Sequence, residues 1–312
     1  MTIVQTVSNY SATAYLHDDG SVSASGKRAY GGDSLLVQHL LINVTALAAT
    51  GYAFAALKAD GTIVAWGRPQ LGGDSNAIQH LLTDVTTIAS NNGAFAALKA
   101  DGTVVTWGDP EYGGDSSAVQ HLLTAVTTIT TTTCAFAALK TDGSVISWGD
   151  REWGGNSHVI QHLLKDIKEI FSTEAAFTAL KTDGTVITWG NRFRGGDSSA
   201  VQNLLTAVKT IAATSCAFAA LKADGTIVTW GDPNHGGNNS AVQDLLINVK
   251  TIFANHSAFA ALKTDGTVVA WGDPGWGGNS NAVKKDLINI QTIIPNFIGF
   301  TAITPDGTQI SW

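Results

Sequence analysis

A single unit of 41 residues repeats along almost the whole chain. The dipeptide Asp-Gly begins at Asp19 and recurs every 41 residues, without insertion or deletion, as far as Asp306. A Gly-Gly pair keeps the same register and begins at Gly31, Gly72, Gly113, Gly154, Gly195, Gly236 and Gly277. A fixed period of this length is typical of solenoids and propellers, in which each unit packs on its neighbours. The chain is therefore predicted to be an array of eight similar units.

The most regular part of the unit is a predicted β-hairpin. Two apolar runs, Ala94–Leu98 and Val104–Trp107 in the third copy, flank a turn in which Gly102 can adopt a positive φ. Phe95 and Ala96 point to opposite faces of one strand and both are apolar. The sheet is therefore expected to be covered on both sides, as a propeller blade is by its two neighbours.

The segment between the Gly-Gly pair and the next strand is predicted to form a short helix. In one copy Asp115 or Ser116 suits the N-cap position, and Val119, Leu122 and Leu123 fall on one helical face. An extra outer strand is the alternative for this segment.

A third strand, such as Val126–Ile129, precedes each hairpin and completes the unit. Together these elements predict a mainly-β fold, a β-propeller of eight three-stranded blades with a short helix linking successive units. The first copy departs from the pattern, since Thr13 stands where the next copy has Phe54, and Ser25 where it has Trp66. Seven blades with an extra end hairpin are therefore the alternative. In either case residues 1–312 are expected to form a single propeller domain.

The hairpin carries the pattern Ala-Leu-Lys-x-Asp-Gly-x-Val-x-x-Trp-Gly. It stands at Ala56–Gly67, Ala97–Gly108, Ala138–Gly149, Ala179–Gly190, Ala220–Gly231 and Ala261–Gly272, with Ile in place of Val in some copies. This pattern resembles the repeat of the regulator of chromosome condensation family, and its short three-stranded units are most similar in style to the secreted bacterial propeller that inhibits β-lactamases. The resemblance implies a propeller but not one function, because such propellers serve as exchange factors, enzyme inhibitors, toxin subunits and scaffolds.

The chain also departs from that family in ways that bear on function. Gly-Gly-Asp-Ser, as in Gly113–Ser116, replaces the family's usual Gly-Gln-Leu-Gly, and Ala94-Phe95 replaces its usual His before Ala-Leu. No inserted loop of the kind used by an exchange factor is present. Together with the net charge of −7, these departures argue against nucleotide exchange and chromatin binding.

Composition narrows the range of partners and compartments. A net charge of −7 argues against a nucleic-acid-binding face, which needs clustered Lys and Arg. No apolar run approaches the roughly 18–20 residues that a membrane-spanning helix needs, so a soluble protein without a membrane span is expected. The first residues lack a basic region followed by a long apolar stretch, so no signal peptide is predicted. A cytoplasmic protein and the mature form of a secreted one would look alike.

Cys134 and Cys216 occupy equivalent positions two units apart and are expected to be buried thiols rather than a disulfide.

Residues that repeat in every unit are expected to be structural. Asp and Gly favour the hairpin turn for local backbone reasons, and scattered carboxylates do not form a paired acid/base site. The repeated Trp residues are expected to pack in the core or between blades rather than to stack on sugars. No activated nucleophile and no phosphate-binding glycine loop is present, so the chain is predicted not to be an enzyme and to need no cofactor.

Two repeated columns carry residue types that can bind metal ions. The residue after Gly-Gly is Asp33, Asp74, Asp115, Asn156, Asp197, Asn238 or Asn279, and one such oxygen per unit fits capping better than calcium. His39, His80, His121 and His162 form a column in four consecutive units and are expected to lie too far apart for one metal ion. No metal site is predicted.

The stretch between Trp-Gly and Gly-Gly varies freely from unit to unit and is the predicted binding surface. These loops on one face of the array carry residue types that anchor interfaces, namely Tyr112, Trp153, Phe193, Arg194, His235 and Trp276. A second variable column of small polar loops follows the first strand, as in Thr50–Tyr52, Asn255–Ser257 and Asn296–Phe297. That column is interpreted mainly as polar filling of the rim of a central channel.

The sequence therefore predicts a non-enzymatic binding or scaffold propeller that engages a partner protein through its variable loops. A multivalent carbohydrate-binding lectin is the alternative, ranked second because the aromatic loop residues do not repeat as a lectin site should. A binding subunit of a toxin or enzyme-inhibitor system is a further alternative.

Overall fold

A computed structural model describes all residues, 1–312, and contains eight antiparallel sheets of three strands each. In every sheet the strands follow one another in chain order, so the second strand is central and the third is an outer edge. The first strands of the sheets are β1 (Ile3–Ser8), β4 (Val44–Ala49), β7 (Val85–Ser90), β10 (Val126–Thr131), β13 (Ile167–Ser172), β16 (Val208–Ala213), β19 (Val249–Ala254) and β22 (Thr292–Asn296). The central strands are β2 (Ala12–His17), β5 (Ala53–Lys58), β8 (Ala94–Lys99), β11 (Ala135–Lys140), β14 (Ala176–Lys181), β17 (Ala217–Lys222), β20 (Ala258–Lys263) and β23 (Gly299–Ile303). The outer strands are β3 (Val22–Gly26), β6 (Ile63–Gly67), β9 (Val104–Gly108), β12 (Val145–Gly149), β15 (Val186–Gly190), β18 (Ile227–Gly231), β21 (Val268–Gly272) and β24 (Gln309–Ser311).

The only helical segments are short 3₁₀ turns, two in each connection between successive sheets. The first turn of each connection lies in the variable loop, and these turns are Arg28–Tyr30, Pro69–Leu71, Pro110–Tyr112, Arg151–Trp153, Arg192–Arg194, Pro233–His235 and Pro274–Trp276. The second turns are Gln38–Leu40, Asn76–Leu81, Gln120–Leu122, His158–Ile160, Gln202–Leu204, Gln243–Leu245 and Asn281–Val283. None of these helices is long and apolar enough to cross a membrane.

The hairpin of each blade closes on the predicted Asp-Gly turn. Gly102 has φ +77°, and the carboxylate of Asp101 accepts hydrogen bonds from the backbone N–H of Thr103 at 2.9 Å and from its hydroxyl at 2.6 Å. Phe95 and Ala96 are both fully buried although they point to opposite faces of β8. The predicted two-sided burial is therefore confirmed.

Successive blades are joined by a repeated aromatic contact. Phe95 stacks on Trp107 of its own sheet, with ring centroids 5.0 Å apart. The indole Nε1 of Trp107 donates a 3.0 Å hydrogen bond to the carbonyl oxygen of Gly72, in the connection that precedes the sheet. Gly72 has φ +97°, and a Cβ there would lie 2.6 Å from the Phe95 ring. The first glycine of the pair is thus required for packing between blades. The repeated Trp residues are buried in the core, except Trp312, which is half-buried.

The second 3₁₀ turn confirms the short linking helix but not its predicted caps. The helix spans only Gln120–Leu122, and neither predicted residue caps it. The carboxylate of Asp115 accepts from the N–H of Ser117, and the hydroxyl of Ser116 donates to the side-chain oxygen of Gln120. Its side-chain anchor is Gln120, whose Nε2 donates 2.9 Å to the carbonyl of Val104 on the outer strand. Leu123 is fully buried, whereas Leu122 remains 38% exposed, because one turn cannot direct both to the core.

In the first blade, polar residues occupy the cross-strand positions that the second blade fills with an aromatic pair. Thr13 and Ser25 pair across β2 and β3 where the second blade pairs Phe54 with Trp66. Ile3 is 51% exposed, while the equivalent Val44 of the second blade is 5% exposed. Segment 3–26 nevertheless forms a complete three-stranded sheet. The chain is therefore a mainly-β protein of eight propeller blades, and the alternative of seven blades with an extra hairpin is not needed.

Contacts divide the chain into two compact units, Met1–Gln161 and His162–Trp312. The first unit contains the first four blades and the second contains the last four. Both cysteines are free thiols: Cys134 is half-buried and Cys216 is buried. The prediction that residues 1–312 act as one domain stays a prediction.

Candidate functional site

The sheet topology brings the two variable columns of the sequence to one end of every blade. In the fourth blade Thr131 pairs with Phe136, and Ala135 pairs with Gly149, so loops 132–134 and 150–153 leave the sheet at the same end. The Asp142 turn lies at the opposite end, because neighbouring strands are antiparallel. We call the end that carries the variable loops the loop end of the blade.

A repeated Asn or Thr ties the two loops of each blade together. In the third blade the Nδ2 of Asn91 donates 2.7 Å to the carbonyl of Tyr112, while its Oδ1 accepts from the N–H of Ala94 at 3.0 Å. The same bond to the residue before Gly-Gly is made by Asn9, Thr50, Thr132, Thr173, Thr214 and Asn255, at 2.7–2.9 Å. The residues that accept this bond are those whose side chains vary most. A constant polar contact therefore fixes the backbone beneath a variable side chain.

Neighbouring loops are also bonded directly to one another through the backbone. In the first unit the N–H of Gly51 donates 2.9 Å to the carbonyl of Asn92, and the N–H of Asn92 donates 3.2 Å to Thr133. In the second unit Glu174 bonds to Ser215, and Ser215 to His256, both at 2.9 Å. The polar residues of this column thus form structural hydrogen bonds at the loop end, which is a more definite role than polar filling.

Tyrosine side chains cluster at the loop end of the first unit. The ring of Tyr52 stacks on Tyr30 at 5.0 Å and meets Tyr10 edge-on at 5.4 Å. The guanidinium of Arg68 lies 5.5 Å from the centroid of the same Tyr52 ring. Tyr112 lies over Gly93, where a Cβ would come within 2.6 Å of its ring, and burial raises the pKa of its hydroxyl. Tyr10 is 59% exposed, so the cluster presents an aromatic surface to solvent.

A mixed aromatic cluster occupies the loop end of the second unit. The ring of Trp276 lies 4.8 Å from His256 and 5.4 Å from Phe297, which is 82% exposed. His256 also meets the ring of His235 edge-on at 6.3 Å. The Nδ1 of His235 lies 3.2 Å from the carboxylate of Asp232 but is not aligned as a hydrogen bond.

One ion pair joins the two loops of the fifth blade. The guanidinium of Arg194 donates to the carboxylate of Glu174 at 2.7 Å, and both side chains are about 40% exposed. An ion pair this exposed contributes little to stability, about 1 kcal/mol or less. Its effect is to hold the Arg194 side chain in one position at the surface.

The predicted site residues fall into several places. His235 and Trp276 belong to one cluster, Tyr112 lies beside the first-unit tyrosines, and Trp153 and Arg194 are half-buried at the loop ends of their own blades. Phe193 does not join them, because it is 73% exposed beside Arg192 and lines a groove along the outer strand of the next blade. All six remain predicted binding residues.

Sequence reasoning missed several members of the two clusters. Tyr10, Tyr52, His256 and Phe297 belong to the second variable column, for which the sequence predicts polar filling. The signal was the exchange of small polar residues for aromatic ones at equivalent positions of that column.

The two columns of residue types that can bind metal ions are structural or exposed. The histidine column, His39, His80, His121 and His162, is exposed along the connections between blades. The residue after Gly-Gly accepts a hydrogen bond from the backbone two residues later, as Asp115 does from Ser117 at 2.8 Å. No group of three or more His, Cys, Asp or Glu side chains converges in the structure.

Comparison with known proteins finds similarity only among solved structures. No family model and no curated protein sequence matches the chain. The ectodomain of the Physcomitrella patens receptor kinase CR4 overlaps with a TM-score of 0.45 at 14% identity, covering 86% of this chain and 72% of that one. Human WBSCR16 overlaps with a TM-score of 0.47 at 14% identity, covering 87% and 76%. Yeast RCC1 (Prp20), solved bound to Kap60, overlaps with a TM-score of 0.42 at 15% identity, covering 80% and 73%. The solved structures that resemble the chain thus include RCC1 proteins, while membership of that family stays a prediction.

Proposed function

We propose that the chain is a non-enzymatic binding scaffold that recognises a partner protein through the side chains at the loop end of its blades. The observation that carries this proposal is the bond from Asn or Thr to the residue before Gly-Gly, such as Asn91 to Tyr112 at 2.7 Å. It holds the loop backbone in place whatever the side chain is. A surface that varies on a rigid framework suits recognition, because little loop entropy is lost on binding.

The second-unit cluster is the strongest anchor for such a partner. Trp276 is half-buried against His256, and Phe297 beside it is 82% exposed. Partly buried Trp side chains with aromatic neighbours are typical of the few residues that dominate protein interfaces. The Trp276 cluster is accordingly the proposed centre of the binding surface.

The repeated carboxylates support a non-enzymatic role. Each Asp-Gly carboxylate is engaged by its own turn, and the hydroxyl and N–H of Thr62 lower the pKa of Asp60 from 3.8 to about 2. A carboxylate with so low a pKa is a poor proton acceptor or donor at neutral pH. These groups therefore stabilise turns in this proposal.

A lectin remains the second candidate, because the exposed ring of Phe297 beside Trp276 is also a surface on which a sugar can stack. The two clusters contain different residue types, tyrosines in one and His, Trp and Phe in the other. A multivalent lectin would repeat one site, which is why the protein partner ranks first.

The test compares three forms of the whole chain: wild type, Trp276→Ala, and Ile247→Thr as the matched control. Ile247 is 48% exposed in a connection between blades, and Thr206 occupies the equivalent position of the preceding unit. Proteins captured from extracts of the source organism are identified by mass spectrometry, and each form is also applied to a glycan array. A protein retained by wild type and the control but lost with Trp276→Ala supports the proposal. If instead a glycan bound wild type and the control but not Trp276→Ala, the partner would be a carbohydrate. Equal capture by all three forms would contradict a role for the cluster in binding.

A further inference from the structure

A groove of about 650 Å³ runs along the outer strand β6 in the first unit. Its floor is β6 itself, and its walls are the connections that precede and follow the second blade, including Leu36, Val37, Leu40 and Pro69. We call it the rim groove. It shares no residue with the tyrosine cluster or with the Trp276 cluster, so it is a separate surface.

The floor of the rim groove is an open strand edge. Strand β6 pairs only with β5, and Thr62 and Arg68 at its ends both bond toward β5. The backbone N–H and C=O groups of an antiparallel strand point alternately to its two sides. Those of Ile63, Ala65 and Gly67 therefore point to the side of β6 that has no partner strand. The carbonyl of Ile63 accepts 2.9 Å from Gln79 Nε2, which confirms this orientation. The carbonyl of Gly67 lies against Gly73 of the following connection, so Ala65 is the residue of this edge whose backbone is available to another strand.

The wall of the groove is more apolar than its equivalents along the chain. Leu36 is 83% exposed, whereas the same position of the other connections carries Ala or Val. Leu40 adds a further side chain that is 44% exposed. Exposed leucines that concentrate along one groove are typical of an interaction surface.

The charges of the groove leave one carboxylate without a cationic partner. Arg28 lies 3.6 Å from Asp33, and Lys58 lies 3.3 Å from Asp60. Asp74 occupies the position equivalent to Asp33, but Pro69 stands where Arg28 would be. One oxygen of Asp74 accepts from the N–H of Asn76 at 2.9 Å, and no cation in the chain pairs with the carboxylate. The lining carries two cations and two carboxylates, and Asp74 is the point at which it complements a positive charge on its occupant.

We propose that the rim groove binds an extended segment of a partner protein that adds as a fourth strand beside β6. Such a strand would bond to the backbone of Ala65 and place every second side chain against Leu36 and its apolar neighbours. A lysine or arginine of the segment would reach Asp74. Backbone bonds supply affinity in this mode, and the apolar and basic side chains select the sequence.

The second unit contains a natural counterpart of the rim groove that lacks these features. Its groove is about 470 Å³ and lies beside the outer strand β18, with Ala200 where the first unit has Leu36. The position equivalent to Asp74 is the neutral Asn238. The second groove is therefore expected to bind the same peptides weakly.

The test uses synthetic fluorescein-labelled peptides that alternate valine and threonine, with a single lysine moved through the threonine positions. Each is titrated against the whole chain by fluorescence anisotropy. At least one peptide is expected to bind wild type, and to bind Asp74→Asn and Leu36→Ala at least about tenfold more weakly. These substitutions copy residues of other connections at exposed sites, so the fold is expected to persist. Val159→Ala is the matched control, since Val159 is 81% exposed at the position equivalent to Leu36 in another connection.

Backbone methylation of the binding peptide separates strand addition from simple apolar contact. N-methylation of alternate amides on the side that faces β6 is expected to abolish binding, whereas methylation on the other side leaves it intact. The proposal would be overturned if no peptide of the set bound the chain, or if Asp74→Asn bound the peptide as tightly as wild type. It would also be overturned if methylation of either side of the peptide had the same effect. Trp276→Ala is expected to bind these peptides normally, so this result is independent of the function proposed for the loop end.

Discussion

The indole nitrogen of Trp107 reaches the carbonyl oxygen of Gly72 at 3.0 Å and so joins two successive blades across 35 residues of chain. Trp107 is 5% exposed, and the contact recurs at Trp66, Trp148, Trp230, Trp271 and Trp312. We expect Trp107→Phe to lower the free energy of unfolding by about 1–3 kcal/mol, because it leaves a buried carbonyl without its donor. Chemical denaturation measures this. Trp312→Phe, at a half-buried site, is expected to cost less, and equal losses at both sites would contradict the argument from burial.

Alanine substitutions at two glycines distinguish the cost of a strained backbone from the cost of a steric clash. Gly307 has φ +87° with no atom within 4 Å of an added Cβ, whereas Gly113 has φ +86° and the Phe136 ring 2.9 Å away. Gly307→Ala is expected to cost about 1–2 kcal/mol from the left-handed conformation alone. Gly113→Ala is expected to cost more, since the ring that packs between blades must also move. Thermal or chemical unfolding of the two variants gives the comparison, and a smaller loss for Gly113→Ala would show that the ring is loosely packed.

The turn carboxylates make stability depend on pH in the acid range. Bonds from the hydroxyl and N–H of Thr62 lower the pKa of Asp60 from 3.8 to about 2, and those of Ser144 lower the pKa of Asp142. A carboxylate whose pKa is lower in the folded state stabilises the fold above its unfolded pKa and loses that effect as the pH falls. The denaturant midpoint is therefore expected to fall between about pH 4 and pH 2. Asp60→Asn, which cannot titrate, is expected to make the decline shallower; an unchanged slope would exclude Asp60 as a source.

The cysteine side chains are expected to react slowly with alkylating agents. Burial, with a smaller effect from Asp150, raises the pKa of Cys134 from 9.0 to about 11. At pH 8 its thiolate fraction is then about a hundredfold below that of an unperturbed thiol, and only the thiolate is nucleophilic. In a Cys216→Ser background the iodoacetamide rate is expected to rise with pH up to about 11. A plateau near pH 9 would show that the thiol is not buried in solution.

The blade was predictable from sequence because its determinants are local. Phe95, Ala96 and Gly102 lie within one hairpin, and their types alone indicate two covered faces and a turn with positive φ. The hydrogen bond from Asn91 to the carbonyl of Tyr112 was not predictable in this way. Its acceptor is a backbone carbonyl 21 residues away, which every residue type supplies equally, and Asn and Thr exchange freely at the donor position.

The aromatic clusters were only half predictable for a related reason. Tyr112 and Trp276 stood out in loops that vary, but their neighbours Tyr52 and His256 sit in a different column. Only the antiparallel return of each hairpin brings the two columns to the same end. The sequence pattern therefore identified one side of the surface, and the topology supplied the other.

The tie between the two loops gives a prediction at Thr214, whose hydroxyl donates 2.9 Å to the carbonyl of His235 and accepts 3.0 Å from the N–H of Ala217. Thr214→Val keeps the shape of the side chain but removes both bonds, so the unfolding free energy is expected to fall by about 1–3 kcal/mol. The amide of Ala217 is also expected to exchange its hydrogen faster, as mass spectrometry of peptides from this loop can measure.

Thr214→Asn is the matched control, because Asn91 and Asn255 make both bonds at the equivalent positions of other blades. This variant is expected to be as stable as wild type, and the amide hydrogen of Ala217 is expected to exchange as slowly as in wild type. Since the tie orients the backbone beneath His235, beside the Trp276 cluster, Thr214→Val is further expected to weaken partner binding while Thr214→Asn preserves it. If Val and Asn at this position behaved alike, the tie would be a consequence of the loop conformation and not its cause.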